Sequence, residues 1–248
     1  MKKIMAITLC IMLAAVFLTG CVSINFSPFV SSGAAGRGNP ETFTFNVGEI
    51  TEIKVELLCN IVYHSASSDT VTLQVQPNLM EYITVQESGG VLTVRSSRNI
   101  NVTGSSNTPV LTVSSPSLNR LSHTGAGTFT TIDPINSDSF ALDITGAANG
   151  NVKMNVNDLS VSVAGAGDLT LSGTADTATV SIAGAGKLDA LDLKTKTASI
   201  SMAGAGTVRI STSEELRVSA GGVGTVEYRG SPSLEITRGG FVTVKNID

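Results

Sequence analysis

Ser160-Val161-Ser162-Val163-Ala164-Gly165-Ala166-Gly167-Asp168-Leu169 returns nineteen residues later as Thr179-Val180-Ser181-Ile182-Ala183-Gly184-Ala185-Gly186-Lys187-Leu188. Twenty residues further on it returns again, as Ser199-Ile200-Ser201-Met202-Ala203-Gly204-Ala205-Gly206-Thr207-Val208. Earlier and later copies surround these three, at Gly125-Ala126-Gly127, Gly146-Ala147-Ala148 and Gly222-Val223-Gly224. The first glycines are spaced 21, 19, 19, 20 and 18 residues apart, and a degenerate last copy sits at Arg238-Gly239-Gly240. Self-similarity at this period is the mark of a stacked repeat architecture.

Aligned copies show which side chains face inward. Two residues before each first glycine stand His123, Ile144, Val163, Ile182, Met202, Ala220 and Ile236. Four before it stand Leu121, Leu142, Val161, Val180, Ile200, Val218 and Leu234, and the column between is polar throughout. Period two with one apolar face is strand patterning. After the glycines Leu169, Leu188, Val208, Val226 and Val242 continue the inward set.

About twenty residues at ~3.3 Å each make a coil roughly 60 Å around, with successive coils ~4.8 Å apart. Glycine allows backbone angles barred to other residues. Gly125, Gly127, Gly165, Gly167, Gly184, Gly186, Gly204, Gly206, Gly222 and Gly224 are therefore expected as corner glycines, stacked from coil to coil. The expected fold is all-β, a single-stranded right-handed parallel β-helix (β-solenoid) with coils of ~18–21 residues, its hand set by the parallel-crossover preference.

Residues 41–120 alternate just as clearly but less regularly. Candidate strands cover residues 42–47, 52–63, 70–76, 82–86, 91–96 and 110–114, with Gly89-Gly90 as a tight turn. The expected organisation is a signal peptide over residues 1–20, a lipidated terminus and flexible tether over 21–40, irregular coils over 41–120 and regular coils over 121–248.

The start of the chain reads as a processing signal. Lys2 and Lys3 precede an apolar run from Ile4 to Phe17, too short to span a bilayer. Leu18-Thr19-Gly20-Cys21 resembles a bacterial lipobox, which implies cleavage before Cys21 and acylation of its thiol, palmitate included. The membrane partner is thus reached through acyl chains, and more than one chain gives stable anchoring. The expected location is the cell envelope, lipid-anchored and extracytoplasmic, on an outer membrane or the outer face of a plasma membrane.

Composition removes several function classes. Loss of Lys2 and Lys3 takes the net charge from −4 to −6, so no nucleic acid partner is expected. Of three cysteines, Cys10 lies in the leader and Cys21 is the anchor, which leaves Cys59 unpaired in an apolar alternation. Calcium coils need an aspartate on every turn, yet the residues after the second glycines are Thr128, Asp168, Lys187, Thr207 and Thr225. His64 and His123 are the two histidines, without a cysteine or acid cluster nearby. No metal, no cofactor and no catalytic residues are expected. The outward column Thr170, Asp189, Arg209, Glu227 and Thr243 reads as a surface ion-pair ladder, as does Asp168 beside Lys187.

The glycine repeats, the ending Val226-Glu227-Tyr228-Arg229-Gly230-Ser231-Pro232, and Gly90-Val91-Leu92-Thr93-Val94 with Pro109-Val110-Leu111-Thr112-Val113 carry a family resemblance. Together they resemble the head GIN domain of putative auto-transporter adhesins, over about residues 43–244. The resemblance implies a secreted or lipid-anchored β-helix and brings no catalytic residues. The expected function is a non-catalytic envelope module that binds a surface macromolecule, protein or glycan. The alternatives are a self-associating envelope scaffold and a polysaccharide-active enzyme, the last requiring convergent carboxylates in a groove.

Overall fold

The computed structural model describes residues 33–248. The leader, Leu18, Thr19, Gly20 and Cys21 lie outside the described residues. Alternating sequence gives twelve strands among the described residues. They are β1 (Ala34–Ala35), β2 (Glu41–Phe45), β3 (Glu52–Glu56), β4 (Asn60–Ser65), β5 (Thr70–Val75) and β6 (Ile83–Ser88). These are followed by β7 (Val91–Ser96), β8 (Ile100–Asn101), β9 (Val110–Ser115), β10 (Arg120–Thr131), β11 (Ile135–Arg229) and β12 (Ser233–Asn246).

The chain is all-β, but the expected single-stranded right-handed parallel β-helix is overturned. The sheet is mixed, in the order β2-β5-β9-β4-β10-β3-β7-β6, with β11 joined to β10 and β12 joined to β11. Strand β5 runs antiparallel to both β2 and β9, and β6 runs antiparallel to β7. The physical reason lies in the turns. Gly89 and Gly90 take φ of 61° and 85°, which suits the tight two-residue connection of a hairpin and sends β7 back along β6. Leu57-Leu58-Cys59 also divides the run expected over residues 52–63 into β3 and β4, which share β10 on one side but pair with different strands, β7 and β9, on the other.

Beyond Arg120 the pairing is parallel at the repeat spacing. Strand β10 lies in register with the start of β11, Leu121 opposite Leu142 and Gly125 opposite Gly146. Strand β11 is 95 residues long and winds past itself. Asn155 Nδ2 donates to Asn136 Oδ1 at 3.0 Å and Thr174 Oγ1 to Asn155 Oδ1 at 3.3 Å, each across 19 residues. The two regions meet on β10, whose Arg120 to His123 pair with β3 and whose Phe129 to Thr131 pair with β4.

The last winding is set two residues away from its expected alignment. Gly222 lies opposite Gly240, not Arg238, and Val218 lies opposite Ile236. A shift of two leaves the inward and outward alternation intact, so the side-chain pattern could not reveal it. Backbone contact decides it. A Cβ at position 240 would overlap the carbonyl oxygen of Gly222, so glycine must stand there and arginine cannot.

One continuous core runs through both regions. Ile53, Leu92 and Leu121 share it with Leu142, Leu171, Ile210 and Val226, all without exposure. Tyr63 is fully buried and donates its hydroxyl to the Ser115 carbonyl at 3.1 Å, tying β4 to β9. Residues 33–38, part of the expected tether, are hydrogen-bonded to this body. Ala34 N–H donates to Asn99 O at 2.8 Å, Gly36 N–H to Asn101 O at 3.0 Å, and Gln76 Nε2 to Gly38 O at 2.8 Å.

His123 occupies the inward column as expected from its spacing, 1% exposed. Its Nε2 lies 3.2 Å from Leu57 O, so that nitrogen carries the proton, while Nδ1 has no hydrogen-bond partner. Burial holds its pKa below the ordinary 6.5, against a smaller raising effect of the Leu57 carbonyl. A depressed pKa means that the unfolded chain binds this proton more readily. The stability tied to neutral His123 is complete above pH 6.5 and is lost as pH falls through the lower folded value. The melting temperature is expected to drop as the pH falls below about 6.5, and His123→Val, matching Val163 in the column, to flatten that drop. An equal pH slope in both proteins rejects the assignment.

Candidate binding surface

Strand alternation and stacking carry polar side chains from several windings to one lateral face. Arg120 lies opposite both Glu52 and Ala141. Steps of 19 residues continue that column through Ser160 to Thr179. Beside it runs a groove of about 510 Å³, lined by Glu52, Arg120, Phe140, Asp158, Ser160 and Thr179 among others. Phe140 is 1% exposed and supplies the floor, while hydroxyls, two carboxylates and one guanidinium supply the walls. Arg120 is oriented by an ion pair with Asp143 on the next winding.

The two carboxylates are too far apart for paired acid-base work. Glu52 and Asp158 both point outward beside buried Ile53 and Leu159, and their windings lie three steps apart. At ~4.8 Å per step this is about 15 Å, against the roughly 5–9.5 Å between the two carboxyl groups of glycoside-cleaving enzymes. His64 Nδ1 approaches Asp133 Oδ2 at 3.6 Å on the surface, and Ser114 lies opposite His64 on β9, with no hydrogen bond between these two side chains among the described residues. Cys59 is buried and burial pushes its thiol up to about 12, the wrong direction for a nucleophile. Among the described residues no group of three or more His, Cys, Asp and Glu could hold a metal ion.

The charge ladder is present with one change of member. Arg209 bonds Glu227 at 2.8 Å through Nε and Asp189 at 3.5 Å through Nη1. Lys245, opposite Glu227 in the last winding, bonds it at 2.9 Å. Lys245 thus takes the place expected for Thr243, because of the two-residue shift. Hydrogen bonding from Lys245, aided by the Arg209 charge, holds Glu227 below the usual carboxylate range. Lys187 bonds Asp189 at 3.4 Å rather than Asp168.

The ten glycines named from the sequence line up between windings. Gly125 lies opposite Gly146, and a Cβ on Gly165, Gly184, Gly204 or Gly222 would overlap the carbonyl oxygen of the preceding member. Gly167, Gly186, Gly206 and Gly224 form the parallel column, over Ala148, Gly167, Gly186 and Gly206. Gly127 meets the Cys59 carbonyl in the same way.

The family described as "Putative auto-transporter adhesin, head GIN domain" matches residues 49–232. The chain belongs to this family. A putative adhesin from Bacteroides fragilis shares its fold, with a TM-score of 0.79 and 24% identity over 87% of this chain and 100% of that one. A putative lipid binding protein from Parabacteroides distasonis gives 0.69 at 21% identity, covering 87% and 99%. A putative adhesin from Parabacteroides merdae gives 0.67 at 20% identity, with the same coverage. No curated protein sequence matches the chain. Sequence reading of this GIN domain missed the groove, because its residues are ordinary serines, threonines and charges until five windings are laid side by side. No helix of the described residues is long and apolar enough to cross a membrane.

Proposed function

We propose that this GIN domain is a non-catalytic, adhesin-like binding module of the cell envelope, anchored through acylated Cys21. Its contact surface is the lateral groove beside Glu52, Arg120, Asp158 and Ser160. The observation that carries the reading is that groove itself. Polar side chains from five windings converge on one rigid floor, which suits an extended polar ligand such as a glycan strand or peptide. Family membership and the naming of structural relatives as adhesins support the same reading. The separation of Glu52 from Asp158 weighs against hydrolysis.

Cells carrying Arg120→Glu with Asp158→Lys are expected to lose surface attachment to the level of a deletion strain, with the protein still present in the envelope. Cys21→Ser is expected to release the protein from the membrane fraction and abolish palmitate labelling. Attachment unchanged by the groove substitutions rejects the groove as the contact surface. Retention of the Cys21→Ser protein in washed membranes rejects the anchor.

A further inference from the structure

The two ends of the stack are built differently. At one end the parallel windings give way to the antiparallel strands β2, β5 and β6. At the other end β12 pairs with β11 on one side and, among the described strands, with none on the other. That strand is fourteen residues long. It also carries conspicuous apolar exposure, with Phe241 85% exposed and Leu234 45% exposed. A long open edge of this kind is a template for another strand.

The sequence of β12 complements itself. Laid antiparallel on a second copy about Gly240, Glu235 of one chain stands opposite Lys245 of the other, twice over. Thr237 then meets Thr243, and Ile236 meets Val244, with every pair on matching faces. Phe241, the most exposed apolar side chain, falls opposite Gly239, which has no side chain to obstruct it. The bends at Gly240, where φ is 109°, coincide on the two-fold axis. Charge alternation also runs on across the junction. One column ends Asp189, Arg209, Glu227, Lys245, and the other ends Arg217, Glu235, joined by a 3.0 Å ion pair. Lys245 of one copy against Glu235 of the second keeps the signs alternating without a break.

We propose that β12 is a self-association edge and that two copies of this chain join end to end through it, antiparallel about Gly240. The contact is isologous and closes on itself, so assembly stops at the dimer. Arg238, on the inward column over Ala220, is the one charge this pairing would cover. It keeps the association reversible, since inward-pointing charge is a device that weakens edge pairing.

Sedimentation velocity of the full-length chain in detergent solution, over a wide concentration range, tests this directly. The expected result is a monomer-dimer equilibrium. Glu235→Lys and Lys245→Glu each place like charges opposite one another and are expected to weaken it by about tenfold or more. Combining the two substitutions in one chain restores the attraction and is expected to recover dimerisation. Arg238→Ala is expected to tighten it. These side chains are on the surface, and a parent-like circular dichroism spectrum with cooperative melting confirms that each variant is folded. Arg217→Ala and Glu227→Ala control for the ion pairs that the swaps break within one chain. A strictly monomeric parent, assembly beyond a dimer, or dimerisation indifferent to Glu235→Lys overturns the proposal.

Discussion

Gly184→Ala is expected to lower the free energy of unfolding by about 3–5 kcal/mol, among the largest effects of a single methyl group on this chain. Two contributions add. Gly184 has φ of 144°, a region that a residue with a Cβ enters at a cost of about 1–3 kcal/mol. Its new Cβ would also overlap the Gly165 carbonyl oxygen and lie 2.9 Å from its carbon. That obstacle is backbone, so no rotamer change relieves it, and the windings on either side must separate. Gly186→Ala isolates the overlap, since it meets the Gly167 carbonyl without a left-handed φ. Gly38→Ala isolates the strain, since φ is 80° and nothing lies within 4 Å. It is expected to cost about 1–2 kcal/mol. Urea unfolding of the three variants reads these differences, and a Gly184→Ala midpoint equal to that of Gly38→Ala would sink the stacking argument.

Phe129→Ala is expected to be comparably damaging, at about 3–5 kcal/mol. Phe129 is 1% exposed and sits where the mixed and parallel regions meet, opposite Ile61 on β4 and Gly150 on β11. Removing its ring leaves a cavity between two rigid windings. Gly150, directly above, has no side chain to fill it, which points to the upper part of the range. Hydrogen exchange of β4 and the first winding of β11 is expected to accelerate together. A loss under about 2 kcal/mol would mean that the junction collapses freely onto the gap.

The parallel windings were legible because each repeats the same constraint. A carbonyl of one winding occupies the place of a side chain in the next, so glycine recurs wherever the backbones touch. The antiparallel strands were not legible for an equally plain reason. Thr70 to Val75 alternates just as a parallel strand does, since period two records which face is buried and not the direction of the neighbour. Gly89-Gly90 signalled its hairpin, but Leu57-Leu58-Cys59 hid the break between β3 and β4 by being apolar. The side-chain pattern points to Thr243 rather than Lys245 at the end of the ladder, because a two-residue slip preserves every face. In the groove, the signal existed only as a column. Arg120, Ala141, Ser160 and Thr179 become neighbours once the repeat spacing is applied, Glu52 joins them only through the pairing of β3 with β10 across 68 residues, and none stands out alone.

The junction on β10 also differs from the later windings in the length of chain it closes. Contacts between β10 and β4 close a span of 68 residues, whereas those inside β11 close 19. Loop-closure entropy makes the longer span about 1 kcal/mol harder to close. The windings of β11 are therefore the easier contacts to make, and the mixed region has to be brought to them across the longer loop.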